Sequence, residues 1–324
     1  SSLNNLTDIS IDLENGDICG ITENELRDNL SESVAEMAEL WGISERTVRN
    51  YCAEGRIDGA GLIGKTWKIP ADAVRPGRRK LKRPETLLEV LREQKSSNQH
   101  GGIYHKLQIE LTYNSNHIEG SKLTHDQMRY IFETNTLGFE NEAVNVDDIV
   151  ETVNHFRCID YVIENAEKPL TEAFIKELHK ILKTGTADSR KEWFAVGRYK
   201  KFANEVGGEM TAAPDEVPAQ MKKLVLQYND LKEITLEDII DFHYKFESIH
   251  PFQDGNGRVG RLIMLKECLS RDIVPFIISD DLKMFYYRRL KNWEQERGWL
   301  TDTVLTAQDR FKAYLDYFQI RYQG

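Results

Sequence analysis

His250-Pro-Phe-Gln-Asp-Gly-Asn-Gly-Arg-Val-Gly-Arg261 is the stretch whose setting governs everything around it in this chain. Upstream, Thr235 is placed to cap a helix whose Leu236, Ile239, Ile240, Phe242, Phe246 and Ile249 form a broad apolar face, and that helix runs straight into His250. Downstream, Leu262, Ile263, Leu265 and Leu269 resume helical spacing to about Ser270. The quoted run is therefore the joint of a helix-loop-helix. Glycines at 255, 257 and 260 let the backbone turn sharply and approach a ligand closely, and the start of the second helix offers unpaired N–H groups. Such a corner favours phosphate. Arg258 and Arg261 lie one turn apart, so both guanidinium groups are expected on one side, facing a polyphosphate. Asp254 beside phosphates calls for an intervening cation such as Mg²⁺. His250, with an ordinary pKa of about 6.5, is the candidate general base. A lone Gly-Asn-Gly-Arg would more readily be a turn with a solvated arginine face and a satisfied histidine; the complete constellation favours a site.

With 324 residues, 40% hydrophobic and 30% charged, the chain is long enough for two units. No stretch approaches the ~18–20 apolar residues of a membrane span, and the first residues lack a basic segment followed by an apolar one. A cytoplasmic protein without a membrane partner is expected. Cys19, Cys52, Cys158 and Cys268 lie far apart and without zinc spacing, as free thiols would. The net charge of −10 means that nucleic acid could be met only by a local patch.

Residues 1–30 read as an acidic arm. From Ser31, Val34, Met37, Ala38 and Trp41 follow helical spacing, Gly42 breaks it, and Ser44 caps a second short helix with Arg46, Thr47, Val48 and Arg49. Gly59–Gly64 and Lys65–Ile69 read as two short extended pieces, closed by Pro70 and a helical turn from Ala71 to Val74. Residues 31–76 thus resemble a winged helix-turn-helix of the excisionase and MerR kind. That resemblance implies Arg46, Thr47 and Arg49 at a DNA major groove, with Lys65 or Lys68 near phosphates. The same fold also docks proteins, and reading an operator with one small helix would call for a homodimer. Residues 77–84 form a basic linker, since Arg75 to Arg83 holds six basic residues and no acidic one. The remainder, 85–324, is mostly helical in pattern.

Between His250 and Arg261 every fixed position matches the sequence His-x-Phe-x-(Asp or Glu)-Gly-Asn-Gly-Arg-x-x-Arg, and the chain here resembles the Fic family. The resemblance implies a mainly α-helical domain with a small β-hairpin flap. It further implies transfer of AMP from ATP to a Ser, Thr or Tyr hydroxyl of a protein, the enzyme itself included, with release of pyrophosphate. By position, His250 would deprotonate the hydroxyl, Phe252 would anchor the loop, and Asp254 would bind Mg²⁺. Gly255, Asn256 and Gly257 would line the anion hole, and Arg258 and Arg261 would hold the β- and γ-phosphates.

Further upstream, Ile103 to His117 reads as a helix with Gly120 as its stop. Ser115-Asn-His-Ile-Glu119-Gly120 is similar to the inhibitory motif that some Fic proteins carry ahead of the core. The likeness implies that Glu119 pairs with Arg261 and turns ATP into an unproductive pose; in some relatives the same glutamate positions water to remove AMP, which would make the enzyme bifunctional. Arg198-Tyr199 through Phe202 to Val206, followed by Gly207-Gly208, carries a hairpin signal. In the family this is a flap that aligns the target chain by strand addition. Tyr286-Tyr287-Arg-Arg-Leu290 resembles a segment in which Tyr287 and Leu290 would border adenine, while Glu294 stands where many relatives carry an amide. Two readings of the whole chain stand: an autoinhibited adenylyltransferase, or a DNA-binding regulator whose Fic domain senses nucleotide. Intact His250 and Asp254 favour the enzyme, with a hydrolase or kinase a more distant third.

Overall fold

The structure is a computed structural model that describes residues 31–77, 86–138 and 143–323. The acidic arm of residues 1–30 and residues 78–84 of the basic linker lie outside the described residues. The chain divides into Ser1–Lys82 and Arg83–Gly324, a boundary inside the expected linker.

In the first unit, α1 (Val34–Trp41) begins at a capping box between Ser33 and Glu36 and ends on Gly42, whose φ of 63° is left-handed and suits glycine. Ser44 caps α2 (Glu45–Ala53). Behind the two helices, β1 (Ser31–Glu32), β2 (Gly61–Ile63) and β3 (Thr66–Pro70) make an antiparallel sheet in the order β1-β3-β2. β2 and β3 are the wing, with Leu62 opposite Trp67. Val34, Met37, Val48, Cys52, Ile57 and Ile69 are the core. The helical turn expected at Ala71–Val74 is a single hydrogen-bonded turn at Ala71 and Asp72, closed by Ala73 N–H donating to Pro70 O at 2.9 Å. Pro76 follows too soon for a helical ladder to close there.

The second unit is helical, as the resemblance implies. Its elements are α3 (Leu87–Ser96), α4 (Ile103–Ile118), α5 (His125–Thr134), α6 (Val146–Asn165), α7 (Glu172–Lys183), the hairpin β4 (Glu205–Val206) and β5 (Glu209–Met210), α8 (Val217–Asn229), α9 (Leu236–Ile249), α10 (Asn256–Ser270), α11 (Asp280–Lys291) and α12 (Arg297–Tyr317). α10 is the axis of the fold: Arg258 to Leu269 are all buried, and α4, α6, α7 and α9 pack around it. Phe242, Phe246, Phe252, Val259, Leu262 and Ile263 join α9 and α10 to a core that α3, α4, α6–α8 and α12 complete. A helix enclosed on every side must bring its polar side chains into the interior, where each needs partners. Among the described residues no helix is long and apolar enough to cross a membrane, and Cys52, Cys158 and Cys268 are buried free thiols.

Candidate active site

Thr235 caps α9 through a capping box with Asp238, and the helix ends on His250. His250 adopts the left-handed conformation, φ 51°, and its N–H donates to Phe246 O at 2.9 Å. Glycine is the usual residue at such a cap, so a histidine here carries backbone strain of roughly 1 kcal/mol. Pro251 then prevents the helix from continuing.

Phe252 is fully buried and stacks on His179 of α7, ring centroids 4.0 Å apart. It holds the loop in the core and is not part of a ligand wall, although sequence reading groups it with the nucleotide-binding residues. Asn256 is likewise turned inward: its Oδ1 accepts from Phe252 N and its Nδ2 donates to Phe252 O, both at 2.8 Å. The amide closes the loop on itself, so what Asn256 offers an anion is its backbone. Gly255, φ 85°, is the N-cap of α10 and supplies no side-chain cap, which leaves the first-turn N–H groups for another acceptor.

His179 and Lys200 were not identified from sequence. His179 Nε2 lies 3.0 Å from Asp254 O, and its Nδ1 accepts from Gly197 N at 2.9 Å. Nδ1 as acceptor makes Nε2 the donor, so the ring is neutral and clamps the loop between two backbones. Burial holds its pKa down to about 4, which agrees. Lys200 N donates to Pro251 O at 2.8 Å, and its Nζ reaches Asn204 and Thr211 at 2.6 and 2.7 Å, joining the hairpin base to the loop. Such residues have no local signature, because their partners are distant in sequence.

The arginines do not converge on empty space. Arg261 Nε donates to Ser115 Oγ at 2.9 Å, and its Nη2 donates to Ser115 O at 3.2 Å and to Glu119 Oε1 at 2.5 Å. Glu119 is the C-cap of α4, the position expected from Gly120. A Cβ on Gly257 would fall 2.3 Å from Glu119 Oε1, so this carboxylate occupies the corner at the start of α10. Arg258, buried, is bound by Glu151 of α6 and by Asp254 at 3.4 Å. Asp254 Oδ2 also accepts from Lys183 Nζ at 2.6 Å. Each arginine therefore has its own acid, which corrects the expectation that both present one open face. Glu151 and Lys183 come from helices remote in sequence and could not be paired with the loop by spacing.

His250 is mostly buried, and burial followed by the charge of Lys200 lowers its pKa to about 4. It is a neutral base at pH 7. Glu247, one turn earlier, places Oε2 3.8 Å from His250 Nδ1, and burial, with Glu119 adding to it against the opposing Arg261, pushes its carboxyl up to about 8. Partial burial opposes ionisation of Asp254, but Lys183 and Arg258 hold it down to about 2. Among the described residues no group of three or more His, Cys, Asp or Glu side chains is placed to hold a metal. Asp254 would offer Mg²⁺ one hard oxygen donor, leaving its remaining ligands to be supplied from outside the protein side chains.

A cavity of about 590 Å³ adjoins this centre, lined among others by Val206, Gly207, Met210, Glu247, Tyr287 and Leu290. The cavity thus brings Val206 and Gly207 of the hairpin beside Tyr287 and the buried Leu290 of α11. Arg198 and Tyr199 precede the hairpin and are not part of it. Tyr199 donates its hydroxyl to Glu172 at 2.6 Å and tilts against Phe252, while Phe202 rests edge-on against Trp193. Glu294 is exposed and does not line the cavity. In the first unit Arg46 is exposed, Thr47 spends its hydroxyl on the Ser44 cap at 2.8 Å, and Arg49 is paired with Glu45 at 2.6 Å.

Residues 169–268 match the Fic/DOC family model. The chain carries a Fic domain. Residues 33–75 match a helix-turn-helix domain model. Over 218 residues the chain is 29% identical to the protein adenylyltransferase Fic of Nematostella vectensis, covering 63% of this chain and 48% of that protein. Over 213 residues it is 27% identical to protein adenylyltransferase fic-1 of Caenorhabditis elegans, covering 62% and 40%. The chain therefore spans about half or less of the length of these curated relatives. A Fic domain containing signaling protein from Bacteroides thetaiotaomicron superposes with a TM-score of 0.53 at 28% identity, covering 71% of this chain and 90% of that one. Fic-1 of C. elegans, residues 134–508, superposes with a TM-score of 0.55 over 72% of each chain; at 21% identity this bears on the fold alone.

Proposed function

We propose that this chain is an autoinhibited protein adenylyltransferase that moves AMP from ATP to a hydroxyl of a protein, itself included. The observation that carries the reading is the Glu119–Arg261 pair, 2.5 Å apart at the uncapped start of α10 and beside a neutral His250. A carboxylate in an anion corner competes with phosphate for the same donors. When Glu119 withdraws, the triphosphate takes its place on the α10 N–H groups and Arg261. The acceptor oxygen then attacks the α-phosphorus as its proton passes to the His250 imidazole; the new O–P bond forms, the α–β bridge breaks, and pyrophosphate leaves. Mg²⁺ at Asp254 would neutralise phosphate charge. Positioning and charge neutralisation supply the acceleration, and the protein need form no covalent intermediate. Tyr287, Leu290 and the hairpin bound a cavity of a size suited to the nucleoside, and the exposed edge of the hairpin suits strand addition by the target.

Labelled ATP with wild type, Glu119→Gly and the double variant Glu119→Gly/His250→Ala tests the reading. Glu119→Gly is expected to raise self-labelling about tenfold or more, since releasing a competitor of about 1.4 kcal/mol is worth that factor. Adding His250→Ala should return labelling to background. Unchanged or lower labelling in Glu119→Gly would remove autoinhibition, and persistent labelling without His250 would remove the mechanism.

The helix-turn-helix match supports a second role for the first unit, namely docking to duplex DNA through α2.

A further inference from the structure

Lys183 is the last residue of α7, and its side chain is only 2% exposed. Its Nζ donates to Glu151 Oε1 at 2.5 Å and to Asp254 Oδ2 at 2.6 Å. Arg258 joins the same two carboxylates from α10. Two cations and two anions thus close a ring whose charges cancel. The Lys183 stem is packed beneath Gly255, its Cδ 3.6 Å from where a glycine Cβ would stand, so the ammonium is held at Asp254 by packing as well as charge. A divalent ion approaching Asp254 alone would meet a fixed positive charge at contact distance, in a region partly withdrawn from water where such repulsion is poorly screened. Phosphate oxygens arriving with the metal would cancel that repulsion and would offer Lys183 new acceptors.

We propose that Lys183 is a resident cation at Asp254, which makes entry of a divalent metal depend on simultaneous entry of nucleotide phosphate. The inference deepens the proposed function and rests on its assignment of Asp254 to the metal. It gives Lys183 a positioning role: the lysine keeps the carboxylate oriented and closed to metal until ATP is present. Glu151, which already accepts from the ammonium, keeps it partnered when it yields Asp254.

The test is a titration of Mn²⁺ alone into the full chain without nucleotide, following the free ion by electron paramagnetic resonance. Lys183→Met, which keeps the length of the stem, is expected to bind Mn²⁺ about tenfold or more tightly than wild type. The gain should vanish in Lys183→Met/Asp254→Asn. Should Lys183→Met fold poorly, Lys183→Gln removes the charge while keeping a hydrogen-bond donor, and the same shift is expected. Equal Mn²⁺ affinity in wild type and the lysine variants, or a gain that survives loss of Asp254, would overturn the proposal. Calorimetry of a non-hydrolysable ATP analogue with Glu119→Gly, in Mg²⁺ and in chelator, isolates the underlying assignment. If the Mg²⁺ dependence is unchanged by Asp254→Asn, Asp254 is not the metal carboxylate, whatever the Mn²⁺ titration shows.

Discussion

His250 illustrates how a residue's chemistry is set by its surroundings. A solvated histidine would be partly protonated near neutrality, but here burial and Lys200 hold the imidazole neutral down to about pH 4. A lowered pKa keeps the base form present as pH falls and loses it only when the pH reaches that lowered value. For the proposed activity, measured with Glu119→Gly, the acid limb of kcat/KM is therefore expected nearer pH 4 than pH ~6.5. Removing Glu119 also removes a negative charge that raises the His250 pKa, so the change works in the same direction. A limb at or above pH ~6.5 would show that the base is solvated in the active form. His250, Asp254 and Arg261 were legible in sequence because their spacing is local. Glu151, Lys183, His179 and Lys200 were not, because each acts through a contact that only folding creates.

The joint between α9 and α10 is the element on which the site depends. Gly260 lets the two helices close: a Cβ there would lie 2.7 Å from His243 Nδ1 and 3.1 Å from Glu247 Oε1. Gly260→Ala is expected to destabilise the domain by about 1–3 kcal/mol, read as a lower Tm, and to disturb Glu247 and hence His250. A Tm equal to wild type would mean that the helices have room to spare. The helical spacing of apolar residues foretold both helices, with Thr235 opening α9 and Ser270 closing α10. It could not foretell that Phe252 would stack on His179, or that the Asn256 amide would face inward. A loop's inward and outward faces are set by what packs beneath it.

At the scale of the whole molecule, a helix-turn-helix unit and a Fic domain share one chain whose net charge is −10. If the first unit docks to DNA, attraction must come from local cations such as Arg46, since Arg49 is already paired with Glu45. Duplex binding is then expected to fall steeply with salt, and Arg46→Ala is expected to weaken it and to flatten the salt dependence by about one ion. Binding that is absent at low salt, or indifferent to Arg46, would leave α2 as a protein-docking helix. Labelling by the Fic domain, measured with and without duplex, shows whether the two units communicate.

The helix-loop-helix, the histidine, aspartate and arginines of its loop, and the hairpin turn at Gly207-Gly208 are legible in the sequence by itself. These are short-range properties, carried by periodicity, caps and fixed spacing. The pairing of Glu119 with Arg261 is what the family resemblance implies and the fold shows; tertiary structure alone decided that Glu151 holds Arg258 and that Lys183 holds Asp254. The physical reason is burial. Once α10 is enclosed by its neighbours, its buried charges need partners, and for Arg258 and Arg261 only the packed fold brings those partners within reach.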